Sequence, residues 1–306
     1  MIFATLLSIV TDNFPAEKIS LTDDFKWNLL QRKAAEVRAS KAFTIFRRHS
    51  IEPILIKGLA ALQFYPQTVA RESIDMDLAV PARDFDAASA ICASAETAGL
   101  AIDLHRELRH LDTVNWDDLL RNSQILNFPT GDIRVLRPED HLRVLCIHWL
   151  TDGGSNKLRL WDIYYSIDNR PTDFDWDRFL GTVDSNRRRW LTCALGLASR
   201  YLGLDLTGTP VEGEARDLPQ WLMRTVEREW ASETQLVPLE VSIHDPKTIL
   251  PQIMRRFRPN PIWATLNMNG SFDAKTRFFY QIGSALKRIP SSYRRISETI
   301  LAPKSK

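Results

Sequence analysis

Asp75 and Asp77, separated by one residue, interrupt the otherwise apolar run Ile74-Asp75-Met76-Asp77-Leu78-Ala79-Val80. Side chains two apart on a strand share a face and lie ~6.6 Å apart along it. The run therefore predicts a strand with Ile74, Met76, Leu78 and Val80 on one face and both carboxylates on the other. Aspartate is disfavoured in strands, and like charges held this close are costly unless a cation or a proton neutralises them. A divalent metal meets both demands, and metal with phosphate is the chemistry it suggests. An exposed edge strand with two solvated aspartates is the competing account.

Two further features add to the pair. Lys57-Gly58 follows the β-branched run Ile54-Leu55-Ile56, so a strand turns through glycine into the next element. If that element is a helix, its first N–H groups and dipole face the turn and form an anion site, and Lys57 adds a formal charge for phosphate. Asp103 lies mid-strand in Ala101-Ile102-Asp103-Leu104. Brought beside Asp75 and Asp77 by strand pairing, it would complete an oxygen-rich site suited to Mg²⁺. Two metals ~4 Å apart can activate an attacking hydroxyl and stabilise a leaving pyrophosphate. Arg71, just ahead of the acids, is either a clamp on a triphosphate or a loop arginine paired with Glu72 or Asp75. His105 and His148 have the chemistry of ligands or bases, although a half-buried, hydrogen-bonded histidine is the commoner role. Asp162 either faces the site from a helix or pairs on that helix's surface.

These residues need elements to hold them. Helical spacing over Trp27–Phe46, with Leu21-Thr22-Asp23-Asp24 as a start signal, predicts a helix. Strands are expected at Ile54–Ile56, Ile74–Val80 and Leu100–His105, with a helix over Leu59–Tyr65 and another over Asp84–Ala98. Ile125–Phe128 and Ile133–Leu136, joined by Pro129-Thr130-Gly131-Asp132, form a hairpin pattern. After Arg137 the chain turns helical, opening with Pro138-Glu139-Asp140. The fold class is α/β (α+β): N-terminal helices over 1–50, a small mixed-sheet core over 51–136 and a helical domain over 137–306.

Bulk properties exclude several classes. The chain has 306 residues and a net charge of +2, so it is neither a nucleic-acid sponge nor an acidic solvating chain. Its three cysteines, Cys92, Cys146 and Cys193, lie far apart in apolar contexts, which favours reduced thiols and a cytoplasmic location. Met1–Val10 is apolar but lacks a basic leader and a cleavage motif, and it is too short to span a membrane. Most tryptophans, among them Trp27, Trp149, Trp161, Trp221 and Trp263, fall in helical apolar patterns and are expected in the core. From Arg255 onward the chain is basic, with Arg255, Arg256, Arg258, Lys275, Arg277, Lys287, Arg288, Arg294, Arg295, Lys304 and Lys306 against Asp273 and Glu298. Such a tail suits RNA or a phosphate-rich acceptor, while solvated helix faces are the commoner reading.

The order strand, glycine turn, D-x-D strand, then a third acid on a later strand resembles the DNA polymerase beta-like nucleotidyltransferases. Lys57-Gly58 in place of glycine-serine is similar to the uncharacterised bacterial nucleotidyltransferase family of that superfamily. Leu55–Gly58, Arg71, Asp75 and Asp77, and Ile102-Asp103-Leu104-His105 carry the resemblance, with Leu136–Asp140, Cys146-Ile147-His148 and Leu158–Asp162. It implies a metal-dependent enzyme that moves a nucleoside monophosphate from an NTP, expected to be ATP, to an acceptor hydroxyl with release of pyrophosphate. Asp75, Asp77 and Asp103 would be catalytic and bind Mg²⁺ or Mn²⁺. Lys57, Gly58 and Arg71 would bind the nucleotide phosphates. A small molecule or peptide is the favoured acceptor, with a protein or RNA also open. A noncatalytic nucleotide-binding module and a toxin-like RNA-modifying enzyme are the alternatives.

Overall fold

The computed structural model describes residues 23–69, 71, 75–108, 113–232 and 259–287. Ile74, Glu72, the apolar N-terminus and the tail arginines named above, apart from Arg277, lie outside them. A 26-residue helix, α1 (Asp23–Arg48), leads into a five-stranded mixed sheet. The strands are β1 (Ile54–Ile56), β2 (Met76–Val80), β3 (Ile102–Arg106), β4 (Gln124–Leu126) and β5 (Ile133–Val135). Their order is β3-β2-β1-β5-β4. β1 runs antiparallel to β2 and parallel to β5, β2 runs parallel to β3, and β4 and β5 form the antiparallel hairpin.

Strand alternation sorts the sheet into two apolar faces. Leu55, Met76, Leu78, Val80, Ile133 and Val135 pack with Phe43 and Phe46 of α1. Ile54, Ile56 and Ala79 pack on the other face with Trp116, Leu136 and Val144. Phe43 and Phe46 have no exposed surface, and burying each is worth about 1.5–3 kcal/mol. The first face thus fixes α1, and the second carries the remaining strand positions, Asp77 among them.

Two expected elements differ from the sequence reading. The helix after Gly58 is one turn, α2 (Gly58–Ala61), followed by a 3₁₀ turn over Leu62–Phe64. Pro66 follows too closely for a longer helix. The Asp84–Ala98 helix is confined to α3 (Phe85–Cys92), because Ser94 is extended before a 3₁₀ turn over Ala95–Thr97. A short helix that sequence periodicity did not single out, α4 (Trp116–Arg121), is capped by Asn115 Oδ1, which accepts from Asp117 N.

The region after Arg137 is mainly helical. α5 (Pro138–Thr151) starts at Pro138, whose missing N–H costs nothing in the first turn. It is followed by α6 (Leu160–Asp168), α7 (Trp176–Gly181), α8 (Ser185–Leu202), α9 (Glu212–Arg216), α10 (Gln220–Ala231) and α11 (Pro261–Asn267). Residues 278–287 are also helical. Trp149, Ile163, Leu191 and Phe272 lie in one shared core. Trp27 does not join any core: it is 59% exposed on α1. All three cysteines are free thiols. Among the described residues, no helix is long and apolar enough to cross a membrane.

Candidate metal centre and nucleotide site

Register brings the site together. Asp77 of β2 pairs directly with Asp103 of the parallel strand β3, and Ala79 pairs with His105. Asp103 and His105 are two apart and share the face of Asp77. Asp77, Asp103 and His105 can each offer one ligand atom, all within 4.8 Å of one another. His105 Nε2 lies 2.9 Å from Asp77 Oδ1 and 3.3 Å from Asp103 Oδ2.

Lys57 closes this cluster from β1. Ile56 pairs with Asp77, so the next residue reaches over the strand end, and Lys57 Nζ lies 2.6 Å from Asp77 Oδ1. Burial raises the Asp77 pKa, but the His105 hydrogen bond and the Lys57 charge outweigh it and leave the carboxyl below its usual range. Lys57 sits at φ 57°, ψ −154°, a region that is nearly reserved for glycine and costs about 1–3 kcal/mol. Gly58 follows at φ 42°. Two successive left-handed residues turn the chain sharply from β1 into α2, and the strained one carries the ammonium to Asp77.

The other expected site residues are placed differently. Asp75 lies just before β2, is exposed, and stands outside the Asp77–Asp103–His105 cluster. It lines a cleft of about 20 Å³ with Gly58, Asp77 and Arg38 of α1. Arg71 is committed elsewhere: Nε and Nη2 donate to Asp162 at 2.6 and 2.8 Å, and Tyr65 Oη donates to the same carboxylate at 2.6 Å. Its bidentate partner is thus Asp162 of α6, 91 positions along the chain. The single turn of α2 uses the Lys57 carbonyl to accept from Ala60 N and Ala61 N, so the anion site expected at the start of a Leu59–Tyr65 helix has one helical turn behind it.

A second wall comes from the helical region. A cavity of about 260 Å³ is lined on the sheet side by Lys57, Asp103, His105 and Glu107, and across from them by Val144, His148, Thr151, Trp263 and Asn267. Behind that wall, His148 Nε2 lies 2.7 Å from Arg159 Nη1, and Arg159 Nη1 lies 3.2 Å from Asp152 Oδ2. Burial raises the Asp152 pKa against the pull of Arg159 and Lys57, with the Asp77 charge adding to the rise.

His105 follows Asp103 by two on a strand, the same i, i+2 signal that marked Asp75 and Asp77. Arg38, Asp152, Trp263 and Asn267 left no local signal, because each reaches the site only through helix packing. Arg277 of the basic segment is structural: it is buried, with its guanidinium 4.6 Å from the Trp221 ring centre and 5.3 Å from that of Tyr280.

The donor set suits a divalent cation. Two carboxylates and an imidazole converge from adjacent strands, one carboxylate is well exposed, and a lysine already balances the other. A mixed sheet with flanking helices and a mainly helical C-terminal region form a polymerase beta-like arrangement that carries a candidate metal-coordinating triad. A family model described as uncharacterised nucleotidyltransferase matches residues 1–203, and the chain belongs to that family of the polymerase beta-like superfamily. No curated protein and no solved structure matches the chain.

Proposed function

We propose that the protein is a divalent-metal-dependent nucleotidyltransferase that moves a nucleoside monophosphate from an NTP, ATP in the first instance, to an acceptor hydroxyl of a small molecule or peptide. The observation that carries this reading is the Asp77–Asp103 register with His105 beside it and Lys57 across it. Asp77 and Asp103, with His105 and with Asp75 at the strand entrance, are the groups that would hold Mg²⁺ or Mn²⁺. The metal would supply Lewis-acid charge for the α-phosphate and the departing pyrophosphate.

The chain's own residues do the rest. Lys57, the Gly58 turn and Arg38 form the positive side that receives the β- and γ-phosphates. Arg38 takes the clamp role in place of Arg71, since among the described residues it has no ion-pair or hydrogen-bond partner and it lines the cleft with Gly58. The acceptor oxygen bonds to the α-phosphorus as the bond from that phosphorus to the bridging oxygen breaks. The leaving electron pair goes to pyrophosphate, and the acceptor proton goes to Asp103. That carboxylate is the more exposed of the pair, at 61% against 14% for Asp77.

The test is incubation with α-labelled ATP, Mg²⁺ or Mn²⁺ and a cell extract, followed by identification of the labelled species. Label transfer that is lost in Asp77→Ala and Asp103→Ala, with both variants folded, supports the reading. Equal labelling by either variant overturns it.

A further inference from the structure

The cavity beyond Lys57 has a composition that the transfer chemistry does not require. Its far wall combines an indole and an imidazole, Trp263 and His148, with the hydroxyl of Thr151 and the amide of Asn267. Ile56, Leu108 and Val144 supply apolar surface between them. At about 260 Å³ it is smaller than the roughly 300–1,000 Å³ of sites for drug-sized ligands. That is room for one ring system and too little for a peptide or an RNA strand.

The wall is built with care. α11 is capped by Asn260, whose Oδ1 accepts from Ile262 N and Trp263 N, at 2.8 and 3.2 Å. The same side chain's Nδ2 donates to the Gly153 carbonyl at 3.0 Å, immediately beyond α5. Gly153 stands at φ +72°, and a Cβ there would lie 2.6 Å from Asn260. One asparagine thereby caps α11, orders the Trp263 amide and docks the helix on the end of α5 that carries His148 and Thr151. Asn267 is held in turn, its Nδ2 donating to Ser284 Oγ at 3.0 Å, which leaves its oxygen to accept.

Position decides the occupant. The Lys57–Asp77 pair joins two openings: Lys57 lines this cavity, and Asp77, 2.6 Å from its ammonium, lines the narrow cleft with Gly58, Asp75 and Arg38. A nucleotide whose phosphates lie toward Gly58 and Arg38, and whose α-phosphate lies at the acids, carries its base toward Trp263. We infer that the cavity walled by Trp263, His148, Thr151 and Asn267 receives the nucleobase of the NTP. This rests on the nucleotidyltransferase reading and adds where the base goes. Trp263 and Asn267 lie beyond residues 1–203, the part of the chain that the family model matches.

The experiment compares calorimetric binding of ATP and of inorganic tripolyphosphate, each with Mn²⁺, to the full chain. Trp263→Ala is expected to weaken ATP about 10- to 100-fold, the size of a lost base–aromatic contact, and to leave tripolyphosphate within about twofold. Trp263→Phe, which keeps a ring, should restore most of the ATP affinity, and Asn267→Ala should weaken ATP alone. If ATP is unaffected by both Trp263→Ala and Asn267→Ala, or if both ligands weaken equally in folded variants, the base lies elsewhere and the inference is overturned. Should the wild-type chain bind neither ligand, the nucleotidyltransferase reading fails first.

Discussion

The protein builds two clusters from the same ingredients, carboxylate and cation, with opposite outcomes. At Asp162 a bidentate arginine and a tyrosine hydroxyl satisfy one buried carboxylate completely, joining the segment before β2 to α6. At Asp77 a lysine and a histidine share one carboxylate oxygen, a second carboxylate stands half in solvent, and the lysine is held by a strained backbone. The first cluster is closed and leaves nothing for a ligand. The second is open, under-coordinated and edged by a cavity. Arginine makes the difference in part, since its planar fork matches a carboxylate bidentately while an ammonium is a point charge that can be moved. Burial and pairing alone therefore do not mark a site; unspent coordination does.

This contrast can be broken by substitution. Asp77→Ala is expected to lower transfer about 10⁴-fold, roughly 5 kcal/mol of barrier, while the thermal midpoint moves little; single-turnover assays and calorimetry read the two sides. Asp162→Asn should do the reverse. It leaves Arg71 buried without its charge partner and should cost about 3–5 kcal/mol of stability in urea unfolding. If Asp162→Asn abolishes transfer in a protein of normal stability, the closed cluster belongs to the site after all.

A third test uses pH beside the closed cluster. His141 of α5 is fully buried against Phe64, neither ring nitrogen has a hydrogen-bond partner among the described residues, and burial lowers its pKa to about 4. The ordinary value is about 6.5. Between those values the unfolded chain binds a proton that the folded chain refuses. Stability should therefore be full above pH 6.5 and fall by about 3 kcal/mol as pH drops to about 4. His141→Leu should flatten that part of the stability curve, and urea titrations from pH 4 to 7 would show a persisting slope if the assignment is wrong. The smallest effect sharpens the open cluster. Lys57→Met removes the cation that competes for Asp77, so Mn²⁺ binding without nucleotide should tighten about fivefold, near 1 kcal/mol. Weaker Mn²⁺ binding by electron paramagnetic titration would make Lys57 a support for the metal seat rather than a rival for it.

Much of the candidate site was legible locally. Asp77 and Asp103 stood out because a charge in the middle of an apolar strand needs a reason, and Lys57-Gly58 because a strand must turn through such a pair. The Asp75 placement was less legible. Identical i, i+2 spacing says nothing about where pairing begins, and β2 starts only at Met76. Arg71 shows the limit from the other side. Its nearest acids in sequence were Glu72 and Asp75, and its partner lies 91 positions away.

The sequence by itself determined the alternating strands, the apolar face under α1, the free thiols, the polar hairpin turn and the acids that interrupt the strands, because these follow from period, propensity and charge within a few residues. Tertiary structure alone decided that β2 and β3 run parallel in the register that sets Asp77 against Asp103, that His105 joins them, that Asp162 takes Arg71 away, and that α11 brings Trp263 to the cavity beside Lys57. Those outcomes depend on which surfaces meet across the chain, and a contact between distant residues leaves no periodic trace in either of the segments that make it.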